Sequence, residues 1–276
     1  MAERPRDLRL AVLVSGSGTN LQAILDRCAA GLLPARVVVV AADRPDAYGL
    51  VRAHQMGVPT HVVDYRRYLS GAMDFMISVE LESEVKELDA RQRILGEKNR
   101  EKRLRKLARL VLAEKEMIRA LEAHEPDYIC LAGFMRLVTP YFLAHFHKSR
   151  PWRVINIHPA LLPAFPGRHG YEDTFGYGCK WGGVTVHFVD EGEDTGPILA
   201  QAVYPIWPGD DLEAVRGRGL HLEYQVYSQC IQWLWAGHVE VRRREDGGRW
   251  IALIHDPSYP DILRAWVNQA MAPADL

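Results

Sequence analysis

No uninterrupted apolar run in this chain approaches the roughly 20 residues that a membrane-spanning helix needs. The opening Met1-Ala-Glu-Arg-Pro-Arg-Asp7 leads straight into a strand, with no apolar segment ahead of a cleavage site. Neither a bilayer span nor a secretory leader is expected, and the chain reads as cytoplasmic. Cysteine is sparse: Cys28, Cys130, Cys179 and Cys230 are scattered without a Cys-x-x-Cys pair. That spacing suits neither a zinc site nor a disulfide framework and fits buried free thiols in a reducing compartment. An excess of one charge is lacking too, with a formal net charge of -1 over 276 residues. Nothing global therefore points to nucleic acid or an anionic membrane as a partner. There is no internal repeat. What remains is an ordinary globular composition, 48% hydrophobic and 25% charged, in a chain long enough for one large domain or two small ones.

The first apolar run, Leu8 to Val14, ends in Ser15-Gly-Ser-Gly-Thr-Asn20, after which Leu21, Ile24 and Leu25 fall at helical spacing. A strand, a glycine-rich turn and a helix present backbone N–H groups at a helix N-terminus, where partial positive charge favours a phosphate. Gly16 and Gly18 give Gly-x-Gly, but Leu21 stands where a dinucleotide fingerprint wants a third glycine, which weakens a nicotinamide reading. Ser17, Thr19 and Asn20 suit a phosphate monoester; the plainer alternative is a tight turn with an N-cap. Val37–Ala42 and Thr60–Val63 read as further strands, separated by a helix over about Ala47–Met56, and Asp127–Ala132 as a fourth. Strands alternating with helices at this spacing predict a doubly wound, mostly parallel, Rossmann-like α/β sheet, with ligands beyond the carboxyl ends of its strands.

Between about Tyr65 and His124 the composition shifts to Glu, Lys, Arg and Leu, with only Gly71 and Gly96 and no proline before Pro126. Val85, Leu88, Gln92 and Leu95 suggest one helical stripe; Leu104, Leu107, Val111 and Lys115 suggest another. Glu97–Lys106 carries six basic residues against two acidic ones. A basic arm for RNA or an anionic substrate is one reading. A solvated helical hairpin available for self-association is the other, and the absence of interleaved aromatics favours it. A homo-oligomer is thus allowed.

The working centre is placed at Arg153-Val-Ile-Asn-Ile-His-Pro-Ala-Leu-Leu-Pro163. Strand alternation puts Asn156 and His158 on one face, an amide donor beside a group that titrates near neutral pH, while Pro159 and Pro163 forbid an immediate helix. Upstream, Phe134, Met135, Arg136 and Leu137 form an apolar wall with one cation, suited to a flat aromatic ligand or merely to core packing. Downstream, Val184–Val189 and Ile198–Tyr204 read as an antiparallel pair joined by an acidic turn carrying Asp194. A long helix from Asp211 to Ala236 contains Glu223. Asn156, His158 and Asp194 together make an acyl-transfer site without a protein nucleophile. A zinc reading of His158, His187 and Asp194 lacks the close-spaced ligand pair common in such sites, and no metal is expected.

Ser15-Gly-Ser-Gly-Thr-Asn-Leu-Gln-Ala-Ile24, Leu131-Ala-Gly-Phe-Met-Arg136, Asn156-Ile-His-Pro-Ala-Leu-Leu-Pro163 and His187-Phe-Val-Asp-Glu-Gly-Glu-Asp-Thr-Gly-Pro197 together resemble the folate-dependent phosphoribosylglycinamide formyltransferases of purine synthesis. The likeness spans about 8–64 and 109–240. It implies the formyltransferase fold over 1–240, interrupted by a helical insertion at about 66–108 and followed by an extension over 241–276. It implies 10-formyltetrahydrofolate and 5-phosphoribosylglycinamide as the small-molecule substrates, with no metal, nucleic acid or membrane. Gly16, Ser17, Gly18, Thr19 and Asn20 would hold the phosphate, and Glu223 the ribose or amide end. Met135, Arg136, Leu137, Val138 and Asn156, with the turn before Asp194, would hold the folate. Asn156 and His158 would steady the oxyanion, and His158, kept basic by Asp194, would protonate the leaving nitrogen. The insertion interrupts the region where the family places a basic folate contact, leaving Arg66 or Arg67 as a weak candidate.

Rival readings lie close by. A methionyl-tRNA formyltransferase needs a further β-barrel, for which a tail of fewer than about 40 residues is too short. A 10-formyltetrahydrofolate hydrolase carries a regulatory domain ahead of its core. A sugar-nucleotide N-formyltransferase does not need this phosphate loop. A non-catalytic scaffold would have no use for Asn156, His158 and Asp194 together.

Overall fold

A computed structural model describes residues 6–70, 78–147 and 152–272. Residues 71–77 of the expected insertion, Gly71 among them, and most of the opening Met1–Asp7 stretch lie outside the described residues. Seven strands form the main sheet. β1 (Leu8–Val14) leads through the glycine turn to α1 (Thr19–Ala29). β2 (Ala35–Ala42), α2 (Tyr48–Gln55) and β3 (Thr60–Val62) follow. The sheet order is β3-β2-β1, then β4 (Tyr128–Leu131), β5 (Val154–His158), β6 (Trp181–Phe188) and β7 (Ile198–Pro205). β1 to β5 run parallel, while β6 is reversed and pairs antiparallel with β5 and, as expected, with β7. The chain builds outward from β1 to β3 and then returns to β1's other side with β4, so the strand order reverses between β1 and β4. A crevice opens beyond the carboxyl ends of strands at such a switch.

From Leu10 to Val14 β1 is unbroken apolar sequence because both its faces are covered there. Leu10, Val12 and Val14 pack with Leu21, Ile24 and Leu25 of α1 and with the buried side of α8 (Leu212–Ala236). Ala11 and Leu13 meet the opposite layer, formed by α5 (Arg100–Glu122) and α6 (Pro140–His147). α8 is started by Asp211, whose Oδ1 accepts from the Ala214 N–H at 2.8 Å, and is stopped by Gly237 in the left-handed region. Of its aromatic residues, Tyr227 and Trp233 are fully buried in the core, and Tyr227 Oη lies 3.1 Å from the Leu131 carbonyl oxygen and 3.2 Å from that of Ile155. Glu114 of α5 is also buried and accepts from the Thr139 N–H at 2.6 Å, serving as a tertiary cap for α6. Burial, opposed by the bonds from Thr139, pushes its carboxyl up to about 8.

In the stretch read as an insertion, most of the described residues are helical. After the short α3 (Tyr65–Leu69), α4 (Val79–Arg91) buries Leu81, Val85 and Leu88 against Leu107, Ala108 and Val111 of α5. α5 then continues without a break into the sheet-covering layer, burying Leu110, Ala113, Met117, Ile118 and Leu121. Residue 108 is therefore the middle of one helix rather than an edge. The stripe Val85, Leu88, Gln92, Leu95 is cut short because α4 ends at Arg91; the Gln92 backbone is extended and its side chain accepts from the N–H of Ile94 at 3.1 Å and of Leu95 at 2.8 Å. The basic link is partly neutralised locally, with Arg103 held by both oxygens of Asp89 at 2.6 and 2.9 Å.

Beyond α8, the hairpin of β8 (Val239–Arg243) and β9 (Trp250–Ile254) straddles the boundary expected at 240. α9 (Tyr259–Met271) returns to place Trp266 against Trp233. The strand β8 and the short α7 (Gly170–Gly176) carried no usable sequence pattern.

Candidate active site

Two clefts open along the carboxyl ends of β1, β4 and β5. One, of about 1140 Å³, is lined by Ser15, Gly16, Ser17, Gly18, Thr19 and Asn20, with Glu223 facing them from α8. Gly18 occupies the N-cap position of α1 at φ 68° and no side chain caps the helix, so its first N–H groups are left toward the cleft. The loop is pinned from outside: Arg44 Nε donates to the Ser15 carbonyl at 2.7 Å and Arg52 Nε to that of Ser17 at 2.8 Å. A Cβ on Gly18 would lie 2.6 Å from the Gly49 Cα, and its backbone is left-handed. Gly18→Ala is expected to cost at least about 1–2 kcal/mol from the backbone conformation alone, read by urea unfolding, and to weaken anion binding at the loop. Asn20 donates to Glu223 Oε2 at 2.5 Å, Tyr171 donates to its Oε1, and Asn20 Oδ1 is buried with no partner among the described residues. Burial, opposed by these two bonds, raises the Glu223 pKa. The expected ribonucleotide residues thus converge, and Tyr171 joins them.

The second cleft, of about 790 Å³, has the expected apolar wall of Phe134, Met135, Leu137 and Val138, and adds Leu131, Ile157 and Val189. Arg136 lines it as well, but its guanidinium is bound by the buried Asp43 and lies over the Tyr65 ring, so its charge is already matched. Arg66 does not line this cleft and is spent on Asp64 at 3.2 Å and Asp46 at 3.6 Å; Arg67 does not line it either. The two clefts share Gly133, Met135, Ile157, Pro159 and Arg168. They therefore adjoin where Ile157 and Pro159 flank His158.

Asn156, His158 and Asp194 meet in the second cleft. Alternation along β5 sends Asn156 and His158 to the same side, as expected. Asp194 is held in the left-handed region at φ 53°, and its Oδ2 accepts from the Gly167 N–H at 2.8 Å. That oxygen lies 3.4 Å from His158 Nδ1. His158 Nε2 is 2.8 Å from the Phe165 carbonyl oxygen, which can only accept, so Nε2 carries the proton and Nδ1 is the nitrogen left to exchange one. Burial lowers the His158 pKa, and the charge of Asp194 opposes it without reversing the shift. For Asp194, burial acts upward but is outweighed by His187, His158 and the Gly167 N–H, which leave it below the usual carboxylate range. At neutral pH the geometry is a neutral imidazole beside an ionised carboxylate.

His187 is the residue that sequence reasoning passed over, having met it only as a zinc ligand. It sits directly across from Asn156 in the β5–β6 register. Its Nδ1 lies 2.9 Å from the Phe188 carbonyl oxygen and so carries the proton, leaving Nε2 to accept from Asn156 Nδ2 at 3.2 Å. His187 Nε2 is also 3.5 Å from Asp194 Oδ1. The signal was available in the alternation of Val184–Val189, which places His187 on one face with Thr185. Among the described residues no group of three His, Cys, Asp or Glu is disposed to hold a metal ion, and no helix is long and apolar enough to cross a membrane.

The model of the formyl transferase family matches residues 8–231. Over 234 residues the chain is 33% identical to the phosphoribosylglycinamide formyltransferase of Haemophilus influenzae, covering 85% of this chain and 90% of that one. This chain belongs to the phosphoribosylglycinamide formyltransferase family. A second relative of that name, from Mycobacterium tuberculosis, is 39% identical over 211 residues, covering 76% of this chain and 77% of its own. The crystal structure of glycinamide ribonucleotide transformylase 1 from Symbiobacterium toebii aligns with a TM-score of 0.71 at 35% identity, covering 93% of this chain and 98% of that one. α4 and α5 lie within the residues 8–231 that the family model matches.

Proposed function

We propose that this chain transfers the formyl group of 10-formyltetrahydrofolate, bound in the apolar cleft, to the amine of 5-phosphoribosylglycinamide, bound in the glycine-loop cleft. The observation that carries this reading is the adjacency of the two clefts at Ile157 and Pro159, with His158 between those residues in the chain and Asn156 and Asp194 beside it. Gly16, Ser17, Gly18, Thr19 and Asn20 bind the phosphate through the free N-terminus of α1, and Glu223 receives the ribose or amide end. Met135, Leu137 and Val138 hold the flat pterin, and the backbone of Arg136 contributes more than its matched charge.

The amine adds to the formyl carbon. Asn156 donates its amide N–H to the oxyanion, its orientation fixed by His187. His158 accepts the amine's proton at Nδ1, and the imidazolium so formed stands beside the ionised Asp194 and also steadies the oxyanion. His158 then returns that proton to the folate nitrogen as its bond to the formyl carbon breaks, ending with formylated ribonucleotide, tetrahydrofolate and a neutral imidazole. No step requires a metal ion. The reaction is placed in the cytoplasm, without nucleic acid as a partner. The outer face of the insertion is where a homo-oligomer would form: a dimer mass by light scattering supports self-association, and a monomer mass removes it.

The test is turnover of 10-formyltetrahydrofolate followed by the absorbance of deformylated folate. Dependence on both substrates is expected. Folate turnover that ignores the ribonucleotide makes the chain a hydrolase, and absence of turnover makes it a scaffold.

A further inference from the structure

The segment joining α4 to α5 does more than close a hairpin. Arg93 donates its N–H to the Glu191 carbonyl at 2.9 Å and forms a parallel bridge with Gly192, so this segment is a one-residue strand added to the turn that carries Asp194. Arg91 binds the Glu191 carboxylate as a second link. The segment is braced on its own side: Gln92 accepts from two following N–H groups, and Asp89, clamped by Arg103, ties the end of α4 to α5. This bracing presents Ile94, 8% exposed, to the apolar cleft alongside Gly192, Glu193 and Asp194.

We infer that the insertion completes the folate cleft, with Ile94 as a residue that sets affinity for the reduced folate and the Arg91–Ile94 strap as the support of the Asp194 turn. Asp194 sits in a backbone conformation that an ordinary residue adopts only when its surroundings hold it there, and the strap is bonded two and three residues before it. Ile94 supplies apolar area at a wall otherwise ended by the mouth of the turn. The inference rests on assigning the apolar cleft to folate, and it gives the insertion a role at the site rather than only on the surface.

Ile94→Ala removes most of one buried aliphatic side chain, and the expected result is a rise of about tenfold in the KM for 10-formyltetrahydrofolate. The KM for the ribonucleotide should stay within about twofold, while the unfolding midpoint in urea should fall moderately because Ile94 is only 8% exposed. Ile94→Leu, which conserves volume, should restore most of the lost affinity. Calorimetric titration with tetrahydrofolate reads the same loss without turnover, and Ile94→Val offers a milder step should the alanine variant fold poorly. Unchanged folate KM and affinity in Ile94→Ala, or an equal rise for both substrates with a large loss of stability, would overturn the inference while leaving the transfer reaction intact. Failure of the unaltered protein to bind tetrahydrofolate at all would instead overturn the assignment of the cleft, and the inference with it.

Discussion

Replacing His158 with alanine is expected to lower kcat by about a hundredfold or more, and Asn156→Ala by a similar factor. The two losses have different physical origins. In the proposed mechanism His158 carries a proton between two nitrogens through Nδ1, its Nε2 being already engaged by the Phe165 carbonyl. In the proposed mechanism Asn156 donates to charge that develops only during the reaction, and its amide is aimed by His187 rather than by solvent. Steady-state kinetics with both substrates varied should show the loss in kcat with the KM for the ribonucleotide little changed, since neither side chain lines the glycine-loop cleft. A near-normal kcat in either variant would remove its assigned role.

Asp194→Asn is expected to reduce kcat by about a hundredfold or more as well, and its pH profile carries further information. His158 must start neutral to take the amine's proton. Burial already lowers its pKa, and Asp194 is the charge that holds the pKa up. Activity should therefore fall as pH drops through the His158 pKa, and removing the Asp194 charge should move that fall to lower pH. The ribonucleotide amine titrates in both proteins, so the additional steepening, and its displacement in the variant, belongs to His158. Asp194 itself stays ionised across this range because its own pKa is depressed. A profile that moves to higher pH, or an unmoved one, would contradict the pairing of the two groups.

The features legible in the sequence are those where one residue type answers one local demand. Gly18 is required by a left-handed N-cap pressed against Gly49, and the buried apolar runs of β1, β2 and β4 announce a sheet covered on both faces. Asn156 and His158 share a side because strands alternate, and that too could be read directly. Contacts made across the sheet were harder to foresee. That Asp194 lies 3.4 Å from His158 depends on a left-handed turn that no local pattern announces. The role of His187 depends on the β5–β6 register, which fixes it opposite Asn156. The insertion was legible as helical and charged, but its placement was not. Gln92 and Leu95 continue an apolar spacing that the chain abandons at Arg91, because the Gln92 side chain and the Glu191 carbonyl offer hydrogen bonds that compete with another helical turn. Arg136 has the same lesson in reverse: its charge read as available, and Asp43, distant in sequence, takes it.

In the proposed reaction, formyl passes between two clefts that adjoin beside His158. Its most direct test follows the carbon itself: 10-formyltetrahydrofolate labelled with carbon-13 in the formyl group is incubated with 5-phosphoribosylglycinamide and the protein, and the products are resolved by mass spectrometry. The label is expected on the ribonucleotide amine with the unaltered protein, and at a rate lower by about a hundredfold or more with His158→Ala. Label recovered as free formate, or transfer to the ribonucleotide that His158→Ala leaves undiminished, would contradict it.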